Sequence, residues 1–490
     1  MNAFPTGPMY HAGVLFVWLI ACSEPAAPGD TSADAPADSG GAPRESERSL
    51  ADADATVLGE SSGAAGNAVA FTGDGDGDGV SGVAIASYFG ARVCTWETLT
   101  PGAHRLDDAD GCYVGAGQTE YPGYAISGGS DLTGDGVNDL AIGAIGGDDV
   151  GAYTGKVYVI GGPSPRGEYG SESAEAVLIG EASADYAGST IAFLGDMDGD
   201  GAGDLAIGAP ANDEGGGGAG KAYVVSGPVS GTIDLAAAAA VIGLGAVTKV
   251  RLYHGAPGEG DGVGSVIDAA GDMNGDGLAE LVLGVNGSDV GGKDGGAVSV
   301  FFGGMAAAVH PLADADLTWT GVVGAYAGDA VAGVGDLDGD GLDDLVASDD
   351  MLVNGRVWFL TGAHVGGQMT MAATSFQGEA TGDLAGSALA VAGDTDGDGT
   401  RDVLVGAYSN DGGAQDAGAV YLLRGPFLPG ALAASDAALV LLGESDGDSA
   451  GRALTGGWDA TGDGAPDLLI GAVYSDVGGP FAGAAYLVSP

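Results

Sequence analysis

The residues best placed to do chemistry in this chain are carboxylates at a repeated spacing. Seven segments of the form D-x-[DNT]-x-D-G begin at Asp74, Asp131, Asp196, Asp272, Asp336, Asp394 and Asp459, at intervals of 57 to 76 residues. Each runs into a short apolar stretch. Alternate side-chain oxygens on a tight, Gly-containing loop are what calcium requires, since it takes about six to eight oxygens at roughly 2.3–2.6 Å. Positions 1, 3 and 5 would point inward. The Gly at 6 permits a sharp turn, position 7 offers a carbonyl, and position 9 adds a second acidic group. A plain Asp/Gly turn would not put the acids on the same offsets seven times.

Three loops carry the full acidic set: Asp196, Asp198, Asp200 and Asp204; Asp336, Asp338, Asp340 and Asp344; and Asp394, Asp396, Asp398 and Asp402. The loop of Asp272, Asn274, Asp276 and Glu280 is a conservative variant. Two loops have Thr at the third position: Asp131, Thr133, Asp135 and Asp139, and Asp459, Thr461, Asp463 and Asp467. They lack one charge and should bind more weakly. The first loop, Asp74, Asp76 and Asp78, has Gly82 where the ninth-position acid belongs. An EF-hand would need Glu at position 12 within a helix. Here position 12 is apolar, as at Ile142, Ile207 and Val405, so the loops read as strand–loop–strand sites for up to seven Ca²⁺.

The elements that must hold these loops also repeat. A small-residue strand such as Gly386–Gly393 precedes the loop, and Val403–Ala407 follows it at once. A Gly/Asn/Asp loop leads to Gly418–Leu423, and 439-LVLLGE-444 opens the next unit. The same order recurs at 188–210 and 220–228. Short strands with Gly-rich turns at this spacing mark an all-β fold, and a period of about 60 residues marks a repeat architecture. Four strands per unit, seven times, predicts a seven-bladed β-propeller over residues 55–490. Small residues suit the innermost strand, where blades crowd the central channel. The chain enters on 56-TVLGE-60, which matches a fourth strand, and ends on 483-GAAYLV-488, which matches a third. The N-terminal strand is therefore expected to complete the last blade and close the ring. The poly-Ala stretch 236–240 reads as a brief helical turn or an Ala-rich strand.

These residues resemble the FG-GAP repeats of integrin α-subunit propellers. The stretch Gly195–Pro210 carries the GDxDGDGxxDLxIGAP core, and a Gly-led apolar strand, 220-GKAYVVSGP-228, follows it. The resemblance covers nearly all of 55–490. It implies a seven-bladed propeller with calcium in hairpin loops on one face. The chain shows no inserted adhesion domain, no transmembrane helix and no following sandwich domains.

Composition bounds the partners and the compartment. The chain of 490 residues has 68 acidic against 14 basic residues and a formal charge of −54. Phosphate would be repelled, so nucleic acid is not an expected partner. Seven calcium ions would reduce the charge to about −40. The 98 Gly follow no G-x-y period, and a 45% apolar content is too high for a disordered acidic chain. Residues 1–21 read as a signal peptide: the apolar run from Ala12 to Ala21 is too short to span a bilayer. Its ending, Leu19-Ile20-Ala21-Cys22, resembles the bacterial lipobox, in which the Cys is lipidated. No Lys or Arg precedes the run. Ser23 after the Cys implies the outer membrane where the cell has one, with secretion as the alternative. Residues 22–54, rich in Ala, Pro, Ser, Asp, Glu and Gly, read as a flexible tether. Cys94 and Cys112 remain. They either stay as two thiols or pair in an oxidising compartment, which would stabilise by roughly 3 kcal/mol.

The expected function is that of a lipid-anchored, calcium-binding propeller serving as a cell-surface binding or adhesion module for a protein or glycan. Its contact surface is expected on the face opposite the Asp loops. Tyr88, Trp96, Tyr121, Trp319 and Trp358 are candidates for a saccharide site or, more simply, blade core. The alternative is a hydrolase acting on extracellular polysaccharide or phosphoester. His104, His254, His310 and His364 form no paired motif, and no G-x-S-x-G elbow or HExxH stands out. No catalytic residue is assigned.

Overall fold

The computed structural model describes residues 47–117, 119–236, 250–254, 261–304, 309–349, 354–362, 366–369, 372 and 374–490. The signal-like segment 1–21, Cys22 and the tether to residue 46 lie outside them, as do poly-Ala residues 237–240 and His364.

Seven separate sheets follow one another around a ring. Blade 1 illustrates the plan. Ala65–Gly73 is innermost, and Gly82–Ser87, Arg92–Trp96 and Gly111–Val114 follow outward, each antiparallel to the last. The second strand of a blade is buried at every position, as in Asp139–Ala144, Asp204–Ala209 and Asp402–Ala407. Neighbouring blades cover both its faces, which is why these strands read as unbroken apolar runs. The core is accordingly seven apolar layers, one between each pair of adjacent blades.

Each sheet has a fifth strand beyond the expected four. The third-to-fourth-strand connection of one blade pairs, in parallel, with the outer strand of the blade before it. Gly167–Tyr169 from blade 2 lies on Gly111–Val114 of blade 1, and Gly231–Asp234 from blade 3 lies on Ala176–Ile179 of blade 2. Each blade's outer edge is thereby paired, which removes a template for aggregation.

Closure of the ring follows the sequence expectation. Ala55–Leu58 is the outer strand of blade 7 and pairs antiparallel with Ala484–Val488. The layer between blades 7 and 1 joins Ala55, Val57 and Phe71 to Leu469 and Leu487. The boundary drawn at residue 55 moves, however. Glu47–Ser49 is the fifth strand of blade 6, on Leu439–Leu442, and Leu50–Asp52 is a 3-10 turn with Leu50 fully buried. Residues 47–54 are thus the third-to-fourth-strand connection of blade 7, carried at the other end of the chain. One Leu and good backbone pairing suffice to order a segment whose composition reads as tether. The main-chain amide of Ser489 donates to Asp54 Oδ2 at 2.8 Å, tying the two ends together.

Cys94 and Cys112 stand directly opposite each other on neighbouring strands of blade 1 and are joined by a disulfide. The start of the third strand carries a base in four blades: Arg92, Lys156, Lys221 and Arg356. Lys221 is buried against Glu181 and lies over the Tyr223 ring. Removing one partner of a buried pair costs about 3–5 kcal/mol. Lys221→Met is expected to lower unfolding free energy by about 3 kcal/mol in a urea titration, because Glu181 loses its counter-charge.

Candidate metal centres

All seven Asp loops lie at the same end of their blades, in the hairpin between first and second strands. The inner strand bulges just before each loop, for instance between Phe193 and Gly195, and between Val391 and Gly393. Gly195 and Gly393 sit there at φ of 82° and 83°, a left-handed conformation that a side chain disfavours. The bulge aims the following Asp into its own loop.

Within a loop the side chains organise the main chain first. The position-1 Asp accepts from the amides of positions 4 and 6. Gly199 and Gly201 donate to Asp196 at 2.7 and 2.9 Å, and Gly397 and Gly399 donate to Asp394 at the same distances. The position-5 acid accepts from the amide of position 7, as where Ala202 donates to Asp200 and Leu342 to Asp340. The ninth acid is buried beneath the loop. Its carboxylate accepts the amide of position 2 in six loops: Leu132 to Asp139, Met197 to Asp204, Met273 to Glu280, Leu337 to Asp344, Thr395 to Asp402, and Ala460 to Asp467. In the two Thr loops the hydroxyl turns to this acid. Thr133 Oγ1 donates to Asp139 Oδ1 and Thr461 Oγ1 to Asp467 Oδ1, both at 3.3 Å.

The result is converging carboxylate oxygens with little neutralising charge. Among the described residues, six groups of three or more acids bring ligand atoms within 4.8 Å of one another, including Asp74, Asp76 and Asp78, and Asp131, Asp135 and Asp139. Burial pushes the Asp139 carboxyl up to about 6, that of Asp344 to about 7 and that of Glu280 to about 8. Asp402 and Asp467 move the same way for the same reason. Glu280 is fully buried, and its Oε1 meets no hydrogen-bond partner among the described residues. An all-oxygen donor set with a buried carboxylate atom left over fits a hard divalent cation such as calcium. The ion would neutralise charge that the protein otherwise leaves unpaired. The first loop differs: Asp74, Asp76 and Asp78 are all exposed, and Gly82 gives them no acid beneath.

The other end of the blades has a different chemistry. It is built by the loops between second and third strands and between one blade's outer strand and the next blade's inner strand. Nine large hydrophobic side chains are exposed among the described residues. Seven of them, Phe89, Val150, Tyr153, Val290, Val323, Val477 and Phe481, are in these loops, so apolar exposure is concentrated on the face away from the Asp loops. Tyrosines cluster beside them. Tyr88 stacks on Tyr121 at 5.2 Å between centroids and meets Tyr124 edge-on at 5.5 Å. Tyr153 lies 5.7 Å from Tyr186. In blades 6 and 7, Arg452 lies over Tyr408 at 4.8 Å and over Tyr474 at 5.8 Å. Tyr121, Tyr186 and Tyr326 adopt positive φ, as do Ala64, Leu384 and Ser449 in the same turn of other blades. The turn is therefore structural, and the choice of tyrosine is not.

Of the aromatic candidates read from sequence, Trp96, Trp319 and Trp358 are buried blade core. Tyr88 and Tyr121 belong to the loop cluster. Tyr124, Tyr153, Tyr186 and Arg452 escaped notice because they are scattered along the chain, in loops and at the starts of inner strands, and only the ring brings them together. His104 Nε2 lies 2.7 Å from the carbonyl of Thr100 and is near none of the other histidines in sequence.

The family comparison agrees with this architecture. The FG-GAP repeat model matches residues 122–160, 187–225, 263–301 and 385–423. Those spans run from inner strand to third strand in blades 2, 3, 4 and 6. Integrin alpha-PS2 of Drosophila melanogaster is 32% identical over 231 residues, which are 44% of this chain and 15% of that protein. The chain thus corresponds to only a small part of the integrin's length. Among solved structures, BBS1N in complex with ARL6DN is 12% identical, with a TM-score of 0.45, covering 88% of this chain and 94% of that one. The Dos1 propeller is 14% identical, with a TM-score of 0.43, covering 86% and 81%. The protein is a seven-bladed β-propeller, and four of its blades match the FG-GAP repeat.

Proposed function

We propose that this propeller is an exported, lipid-anchored binding or adhesion module, hardened by calcium on one face and contacting an extracellular protein or glycan with the other. The observation that carries the reading is the separation of chemistries between the two ends of the blades. Carboxylates converge at one end, while tyrosines and exposed apolar side chains collect at the other. Aromatic residues give large contact area at small entropic cost, and such positions dominate binding energy at interfaces. The likeness to an integrin α-subunit favours a binding role over catalysis. A lipid on Cys22 and a tether from residue 22 to 46 would hold the domain clear of the membrane, at the outer membrane or cell surface.

A glycan and matrix-protein array probed with the calcium-loaded protein tests this reading. A saturable ligand is expected, and its binding should fall at least about tenfold in Tyr153→Ala and Tyr186→Ala, in line with loss of interface aromatics. Binding that survives both substitutions would place the contact elsewhere. Turnover of a polysaccharide or phosphoester would favour the hydrolase reading instead. Separately, radiolabelled palmitate fed to expressing cells should enter the parent protein and not Cys22→Ala. Equal labelling of the two would remove the lipid anchor.

A further inference from the structure

The first Asp loop lacks the ninth acid, and the strand across the hairpin holds one that no other blade has. Val83 pairs with Trp96, which sets Gly82 opposite Glu97. In blade 3 the corresponding register is Asp204 opposite Ser226. The residues at the position of Glu97 in the other six blades are Gly161, Ser226, Phe302, Thr361, Arg424 and Ser489, and none is acidic. Loss and gain of a carboxylate therefore coincide on directly facing residues of a single blade.

In three of the other blades the side chain at this position reaches the Asp loop. Ser226 Oγ donates to Asp198 at 3.0 Å. Arg424 Nε lies 3.7 Å from Asp396, and Ser489 Oγ lies 3.3 Å from Thr461. Each contact is to the third loop residue, whose counterpart in blade 1 is Asp76. Glu97 obeys the same geometry. Its Oε2 lies 3.2 Å from the point where a Cβ on Gly75 would stand. Gly75 is the second residue of its loop, the one whose amide the ninth carboxylate holds in the other six. Burial, Asp76 and Asp110 disfavour the ionised Glu97 carboxylate, and Arg166 and a main-chain hydrogen bond from Ser164 favour it. Thr98, the next residue, donates to Asp78 at 3.3 Å and ties the segment to the loop.

We propose that Glu97 supplies to the first loop the carboxylate that Gly82 cannot, completing a calcium site with Asp74, Asp76 and Asp78 from across the hairpin. The inference rests on the reading of the Asp loops as calcium sites. It makes the exposed first loop a full member of the ring, and it moves the metal-binding acid from the second strand to the end of the third.

Calcium titration by calorimetry and native mass spectrometry of the full-length protein tests it. Glu97→Gln keeps the side-chain shape and removes the charge. It is expected to bind one ion fewer than the parent, or to weaken one site by tenfold or more, with the remaining sites unchanged. Glu97→Asp should recover part of that affinity. Asp74→Asn should lose the same ion, and the double variant with Glu97→Gln should lose no second one. A Glu97→Gln protein with the parent's ion count and affinities overturns the assignment, and so does a double variant that lacks two ions. A parent protein that binds no calcium would instead show that the loop reading itself is wrong.

Discussion

Excess EGTA is expected to lower the melting temperature of this protein by on the order of 10 °C. At about 1 mM calcium and a site Kd of roughly 0.1–1 mM, each ion adds about 0.4–1.4 kcal/mol by mass action. Seven ions add roughly 3–10 kcal/mol, comparable with the whole stability of a domain. The structural reason is the buried ninth acid. Asp139, Asp204, Glu280, Asp344, Asp402 and Asp467 are 0–1% exposed and sit beneath loops carrying two or three further acids. The pH dependence should also change sign with the ion. In EGTA, burial holds Asp139, Asp344 and Glu280 at about 6, 7 and 8, above their unfolded values of about 4. The folded state then binds more protons than the unfolded one. Stability is full below about pH 4 and declines as pH rises through 6 to 8. With calcium bound the acids are ionised in the folded state, and acidification releases the ion, so stability falls as pH falls. Differential scanning calorimetry at several pH values, with calcium and with EGTA, reads both effects. Melting curves that coincide with and without EGTA would end the structural role assigned to calcium.

The parts of this structure that were legible in the sequence are those with a strong local signal. The Asp loops announce themselves because calcium chemistry and the sharp turn both restrict residue type. The second strands do so because burial on both faces demands an unbroken apolar run, as in Asp204–Ala209. Even ring closure was readable, since 56-TVLGE-60 matches a fourth strand and nothing else in the chain needs one there. The fifth strands were not. Gly102–Arg105, Gly167–Tyr169 and Gly430–Ala433 are mostly exposed and show no alternation. They are held by main-chain pairing, to which side-chain pattern is blind. The same blindness placed residues 47–54 in the tether, because a single buried Leu50 carries the signal. Glu97 and the rest of the tyrosine cluster beyond Tyr88 and Tyr121 were missed for another reason. Each depends on residues being brought together by the fold: Glu97 by the register of one hairpin, Tyr124, Tyr153 and Tyr186 by the closure of several blades into a ring.

Deletion of residues 47–58 is expected to open the ring and abolish cooperative folding. Those twelve residues serve two interfaces at once. Leu50 belongs to the apolar layer between blades 6 and 7, and Ala55 and Val57 belong to the layer between blades 7 and 1. Full burial of Leu50 and Val57 contributes about 3–6 kcal/mol together, before the strand pairing on Leu439–Leu442 and Ala484–Val488 is considered. A loss of that size approaches the net stability of an ordinary domain. The deletion also bares the edge of Ala484–Val488, a short apolar strand able to recruit another chain. The expected outcome is loss of the sharp melting transition, together with aggregates on size exclusion. Leu50→Ala separates packing from pairing. It leaves the backbone ladder intact and should cost about 2–5 kcal/mol, with the protein still monomeric. In an open solenoid a terminal strand would cap one end only, and its removal would fray that end while the rest melted as before. A deletion variant that stays monomeric and melts with the parent would therefore argue against closure by the N-terminal strand. Collapse of the whole transition would show that blade 7, completed by residues 47–58, stabilises all seven blades through the ring.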